Sequence, residues 1–142
     1  MTSISLAKAN HIIEAAFAKA KEAGLKPLSV VVLDAGGHVI AFQKQDGSSM
    51  LRFEIASGKA YGALAVGMGS RKIEAMAKER PHFMEGLSGV SGGRIVPVPG
   101  GVLVRSAGQL VGAVGITGDT SDNDELAAVA GIEAAGFEAD AG

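Results

Sequence analysis

Cysteine and tryptophan are both missing from this chain of 142 residues. Without cysteine there is no disulfide, no thiolate nucleophile, no cysteine-ligated metal and no covalent C-x-x-C-H haem attachment. Aromatic residues are scarce, with five Phe and one Tyr, which leaves few rings to stack on a flat ligand. No apolar run is long enough to span a bilayer, and the N-terminus lacks a basic stretch followed by an apolar one. The expectation is a cytoplasmic protein without a membrane partner. A basic stripe is lacking too: 13 Lys and Arg stand against 15 Asp and Glu, and the cations are scattered, so nucleic acid is not an expected partner. His11, His38 and His82 lie far apart with no H-E-x-x-H or His-carboxylate pair, and no metal site is expected.

What is present is apolar. Hydrophobic residues make up 47% of the chain against 20% charged, at a mean hydropathy of +0.28. The length suits one domain over residues 1–142 with one core. A chain this small has difficulty hiding so much apolar surface, which points to a homo-oligomer.

Leu6, Ala9, Ile13, Ala16, Phe17 and Ala20 recur at helical spacing before Gly24. Leu28 to Leu33 and Val39 to Gln45 flank the turn residues Asp34-Ala-Gly-Gly-His38, a β-hairpin. Residues 50 to 68 return to helical spacing through Phe53, Ala56, Ala60, Leu64 and Gly67, and Arg71 to Glu79 forms a further helix before Pro81 restarts the chain. Residues 88 to 101 read as a loop bracketing one short edge strand at Ile95-Val96. Val102 to Arg105 and Gln109 to Thr117 form a second hairpin; strict alternation puts Leu110, Gly112, Val114 and Ile116 on one face and Val111, Ala113, Gly115 and Thr117 on the other. The last helix opens in Asp119 to Glu125, where Ser121 with Asp124 or Asp122 with Glu125 offers a capping box, and Leu126, Val129, Ala130, Ala134 and Phe137 continue its apolar side. The predicted order is α-β-β-α-α-β-β-β-α. This is an α+β domain with an antiparallel sheet flanked by helices, because hairpins argue against a doubly wound parallel sheet.

Glycine is abundant, at 21 residues, but no cluster is followed by Gly-Lys-Ser or Gly-Lys-Thr at P-loop spacing, and Gly67-Met-Gly69 lacks the rest of a dinucleotide fingerprint. Arg52 and Lys59 fall seven residues apart on the second helix, nearly on one face, with Tyr61 close by. Such a pair suits a carboxylate or a haem propionate. Arg80-Pro-His-Phe83 gathers a cation, a rigid turn, an imidazole and a ring, and His38 stands at a hairpin tip. Asp119, Asp122, Asp124 and Glu125 fit capping and the helix dipole and lack the ligand pattern of a calcium loop.

Val32-Leu-Asp-Ala-Gly-Gly-His38, Phe42, Asp46-Gly47, Gly58-Lys-Ala60, Gly100-Gly101 and Val111-Gly-Ala-Val-Gly-Ile-Thr-Gly118 with Asp124-Glu125 together resemble the GlcG/HbpS-like family, which includes the C-terminal domain of PduO-type proteins. The resemblance covers nearly the whole chain. It implies a profilin-like sheet of about five antiparallel strands flanked by helices, assembly into dimers or rings, an association with catabolic pathways, and haem binding in several members. Two functional readings follow. In the first, a small-ligand-binding protein holds haem non-covalently, with His38, His82 or Tyr61 toward the iron and Arg52, Lys59 or Arg80 toward propionates. In the second, a small catabolic enzyme of isomerase or tautomerase type anchors a carboxylated or carbonyl metabolite on the same cations while His82 or Asp124 moves a proton.

Overall fold

The computed structural model describes residues 3–142, so the first two residues of the expected domain lie outside the described residues. Helix α1 (Leu6–Ala23) leads into a hairpin of β1 (Ser29–Asp34) and β2 (Val39–Lys44). Three helices follow, α2 (Arg52–Val66), α3 (Ser70–Glu79) and α4 (Pro81–Val90). A second hairpin of β3 (Gly101–Ser106) and β4 (Gln109–Thr117) precedes α5 (Ser121–Ala134) and β5 (Glu138–Asp140). The strands form one five-stranded sheet in the order β2-β1-β4-β3-β5, every pair antiparallel. The mixed α+β class and the antiparallel sheet agree with the sequence pattern.

Strand alternation supplies both faces of the sheet with core residues. Val30, Val32, Val102, Val104, Val114 and Ile116 pack under α1 and α5, while Val31, Leu33, Leu103 and Ala113 pack under α2. The pattern departs from strict alternation at one point. Val104 pairs with Gly112 and Arg105 with Leu110, so Val111 is an extra residue in β4. This β-bulge turns Val111 to the α1/α5 face and Leu110 to the α2 face, the reverse of the alternating assignment.

The fifth strand differs from expectation as well. Ile95-Val96 is not in a strand: the Val96 N–H donates to the Gly58 carbonyl of α2 at 3.2 Å, and Pro97 and Pro99 remove the donors a ladder requires. The edge beside β3 is filled by Glu138–Asp140 instead. Helix α5 also buries a different face from the expected one of Leu126, Val129, Ala130 and Ala134. Asp124, Ala127, Ala128, Gly131 and Ile132 are buried, whereas Leu126 is 45% exposed. Its N-cap is Thr120, which accepts from the Asn123 N–H at 3.2 Å, so neither expected capping box forms. Asp119 braces the same turn by accepting from the Lys26 and Thr120 N–H groups and from Asn123 Nδ2. The Lys26 N–H leads the donors that bring its carboxyl down to about 2.

Helix α2 lies against the sheet at backbone distance. A Cβ on Gly115 would run into the Ala56 carbonyl oxygen, and one on Gly101 would meet the Lys59 carbonyl. We predict that Gly115→Ala destabilises the fold by about 3 kcal/mol, the upper end for overpacking. Gly86→Ala, on the exposed side of α4 with nothing near its Cβ, gains about 0.5–1 kcal/mol from helix propensity. Urea unfolding of the two variants checks both signs.

Candidate functional site

Helix α2 carries functional candidates on two sides because its buried positions are mostly small: Ala56, Gly58, Ala60, Gly62 and Ala63. The sheet-facing side holds Arg52 and Lys59, which the helical period brings to the same end of β4. Arg52 Nη1 donates to Thr117 Oγ1 at 2.7 Å and Nε to Ser49 Oγ at 3.0 Å. Lys59 Nζ donates to the Ile116 carbonyl at 2.8 Å and to Asp124 Oδ2 at 3.1 Å. The second Asp124 oxygen accepts from the Asp119 N–H at 2.9 Å.

The Lys59 and Asp124 side chains are each 2% exposed. Burial pushes the Lys59 ammonium below its ordinary range, and Asp124 opposes that shift. The same desolvation raises the Asp124 carboxyl, and Lys59 opposes it in turn. Asp124 is therefore sealed beneath the helix as a partner for Lys59.

The other side of α2 borders a groove of about 530 Å³ between the β1–β2 turn, α2 and the segment after α4. Its walls are mainly apolar, from Leu33, Val39, Leu51, Phe53, Ile55 and Val96, with Glu54, Ser57, Tyr61 and Arg94 as the polar members. Tight packing forms the wall: Val96 would clash with a Cβ on Gly58, and Ile95 lies 2.9 Å from one on Gly62. Arg94 stacks on the Tyr61 ring, 4.1 Å from its centroid, and donates from Nη2 to Tyr61 Oη at 2.7 Å. Ser57 Oγ is buried without a hydrogen-bond partner.

His38, with its side chain 82% exposed, lies between Gly37 and Val39 of the β1–β2 turn; those two line the groove and His38 itself does not. Asp34 Oδ1 accepts from the Gly36 and His38 N–H groups and lies 3.2 Å from His38 Nδ1. These donors, led by the His38 N–H, hold the Asp34 carboxyl below its usual value. With Nδ1 turned to the carboxylate, Nε2 is left to face outward. The remaining candidates lie elsewhere: His82 is exposed on α4, and Arg80 stacks on Phe83 at 4.3 Å. Neither lines the groove.

The structure thus joins Arg52, Lys59 and Asp124 in one cluster, brings Tyr61 and the His38 turn to another, and leaves Arg80 and His82 outside both. Arg94, Glu54 and Ser57 were not singled out from sequence. A second hollow, about 850 Å³, lies between α1 and β2; it is broad and edged by charges of both signs, including Glu14, Lys21, Lys44 and Asp46. The apolar groove is the better small-ligand site. Among the described residues no acidic or histidine cluster could hold a metal ion, and no helix is long and apolar enough to cross a membrane.

Residues 4–133 match the family described as haem degrading protein HbpS-like. The chain belongs to the HbpS-like family. A 15.0 kDa protein from the dhaT-dhaS intergenic region of Citrobacter freundii is 32% identical over 133 residues, covering 94% of this chain and 92% of that one. The Klebsiella pneumoniae protein ORFY superposes with a TM-score of 0.85 at 28% identity, covering 95% and 92% of the two chains. A PduOC–haem complex has a TM-score of 0.86 at 23% identity, covering 96% and 97%, and shows the shared fold.

In this HbpS-like chain the sealed pair makes opposite pH signatures measurable. Asp124→Asn leaves a buried ammonium unpaired, an expected loss of about 3–5 kcal/mol. Because the folded Lys59 pKa lies below the unfolded 10.5, the unfolded state then binds more protons, and stability recovers as pH rises toward that value. In Lys59→Met the folded Asp124 pKa lies above 3.8, so the folded state holds more protons and stability falls as pH climbs through the acid range. Urea midpoints across pH check the two slopes.

Proposed function

We propose that this HbpS-like chain is a haem-binding protein that seats the macrocycle in the groove beside Tyr61. The observation that carries the reading is the apolar groove of about 530 Å³ with a phenol, an arginine and an orphaned serine hydroxyl in its wall. The lining fits a porphyrin: aliphatic walls for the macrocycle, a Tyr of a type that ligates haem iron, and a cation for a propionate, with His38 on the adjoining turn. The HbpS-like family description and the haem carried by the PduOC relative support the same choice.

Tyr61 and His38 are the proposed iron-side residues. Arg94 orients the Tyr61 oxygen, and Asp34 fixes the His38 ring so that Nε2 is the nitrogen offered. When bound, haem would supply an iron whose reactivity depends on its axial ligand and on the polarity around it. Lys59, Asp124 and Arg52 hold α2 in place beneath this site. The alternative of a proton-moving catabolic enzyme draws less support, because Asp124 is sealed under Lys59 and His82 stands apart on α4. The proposal extends to a homo-oligomer that covers exposed apolar residues such as Met50 and Val90, 92% and 85% exposed, to a catabolic setting in line with the family resemblance, and to a cytoplasmic location.

Titration with haemin, followed by absorbance, tests the reading. The expected result is a sharp, saturable Soret shift at one haem per chain. The band moves or disappears in Tyr61→Phe or His38→Ala and is unchanged in His82→Ala. A broad change that never saturates, alike in all variants, means adventitious sticking and removes haem from consideration.

A further inference from the structure

Arg94 is a charged side chain held in place at the groove without an acidic partner among the described ion pairs. Its Nε donates to the Ser91 carbonyl at 2.9 Å, its Nη2 to Tyr61 Oη at 2.7 Å, and its plane lies on the Tyr61 ring. Two hydrogen bonds and one stacking contact fix the guanidinium plane, yet they use only two of its five N–H groups. The unused donors sit on the terminal nitrogens, where a planar carboxylate is met side by side. Arg94 is exposed at the mouth of the groove, so a carboxylate bound there stays partly hydrated while the rest of its ligand enters the apolar walls.

The groove also has a second pole. Glu54 lines it from the first turn of α2, seven positions before Tyr61 and so about 10 Å away along the helix axis. It too has no partner among the described ion pairs. A carboxylate is attracted at the Arg94 end and repelled at the Glu54 end, which selects one orientation of an amphipathic anion.

We infer that Arg94 is a specificity-determining residue that reads a ligand carboxylate and sets the direction in which the ligand enters the groove. This inference rests on the proposed haem site and deepens it, by requiring the free acid side chains of the macrocycle. No residue in the sequence pattern marks this role, because Arg94 follows Ser91-Gly-Gly93 in what reads as a plain loop.

The test compares iron(III) protoporphyrin IX with its dimethyl ester, which keeps the macrocycle and iron and lacks the carboxylates. For the unaltered protein the ester should bind about tenfold more weakly, the scale of one solvent-open charge-assisted contact. In Arg94→Gln the free acid should fall by about the same factor and the ester should not change. Glu54→Gln should narrow the preference between the two orientations, read as a second, shifted Soret component with the free acid. Equal affinity of the unaltered protein for acid and ester overturns the Arg94 assignment and leaves haem binding standing. If Arg94→Gln weakens both probes alike, Arg94 is a wall residue only and the assignment falls. If neither probe saturates the unaltered protein, the haem reading itself fails.

Discussion

An ammonium and a carboxylate lie 3.1 Å apart, both nearly free of solvent contact, where α2, the end of β4 and the start of α5 converge. Removing two charges from water costs more than their attraction usually returns, so such a pair is a poor source of net stability. What it supplies is position. Lys59 has to reach both the Ile116 carbonyl and Asp124, and Asp124 has to keep the Asp119 N–H. A shift of α2 along the sheet by one residue, or a rotation of α5, leaves a buried charge without partners. The ion pair and the backbone-distance seating of α2 on Gly101 and Gly115 therefore select the same docking geometry.

The groove is a consequence of that geometry. With α2 pressed onto Gly101 and Gly115 of the sheet, its opposite side offers Gly58 and Gly62 to the chain that returns from α4. Val96 bonds to the Gly58 carbonyl, Ile95 settles over Gly62, and the same short segment places Arg94 on Tyr61. Tyr61 is fixed from the other direction by the β1–β2 turn, where the Tyr61 ring lies 3.8 Å from a Cβ position on Gly37. The site is thus assembled from three stretches distant in sequence, and Gly58 lets the 94–96 segment approach α2 at backbone distance.

Much of this was legible in the sequence, and the failures have definite causes. Hairpins, helices and the antiparallel sheet followed from periodicity and turn chemistry. The buried face of α5 differs from the expected one because its stripe begins with Asp124, runs through Ala127, Ala128 and Gly131 and reaches a large apolar side chain only at Ile132, while Leu126 faces solvent. No hydrophobicity pattern announces a stripe headed by a charge. The bulge at Val111 inverts Leu110 and Val111 relative to residues 112–117, since one inserted residue breaks the alternation between its two sides and the sequence carries no mark of it. Arg52 and Lys59 were correctly placed on one side of α2 by their spacing, but spacing does not reveal whether that side meets ligand or carboxylate. Arg94 was missed because its partners, Tyr61 and Ser91, are joined to it only by the fold.

The scarcity of aromatic rings weighs less against a flat ligand once the groove's construction is considered. Phe53 and Tyr61, two of the six rings in the chain, line the same cavity, and Phe42 meets Phe53 edge-on at 4.8 Å from behind. Aliphatic side chains from β1, β2, α2 and the 94–96 segment form the remaining walls, and dispersion against a macrocycle does not require an aromatic partner. Polar recognition is confined to a few groups, of which Tyr61 and Arg94 are already tied to one another. A ligand carboxylate that engages the free donors of Arg94 would not need to break the Tyr61 bond, because one guanidinium serves both. Binding at the mouth and orientation of the phenol are therefore linked through a single side chain, and the charge at the rim is coupled to the chemistry in the interior.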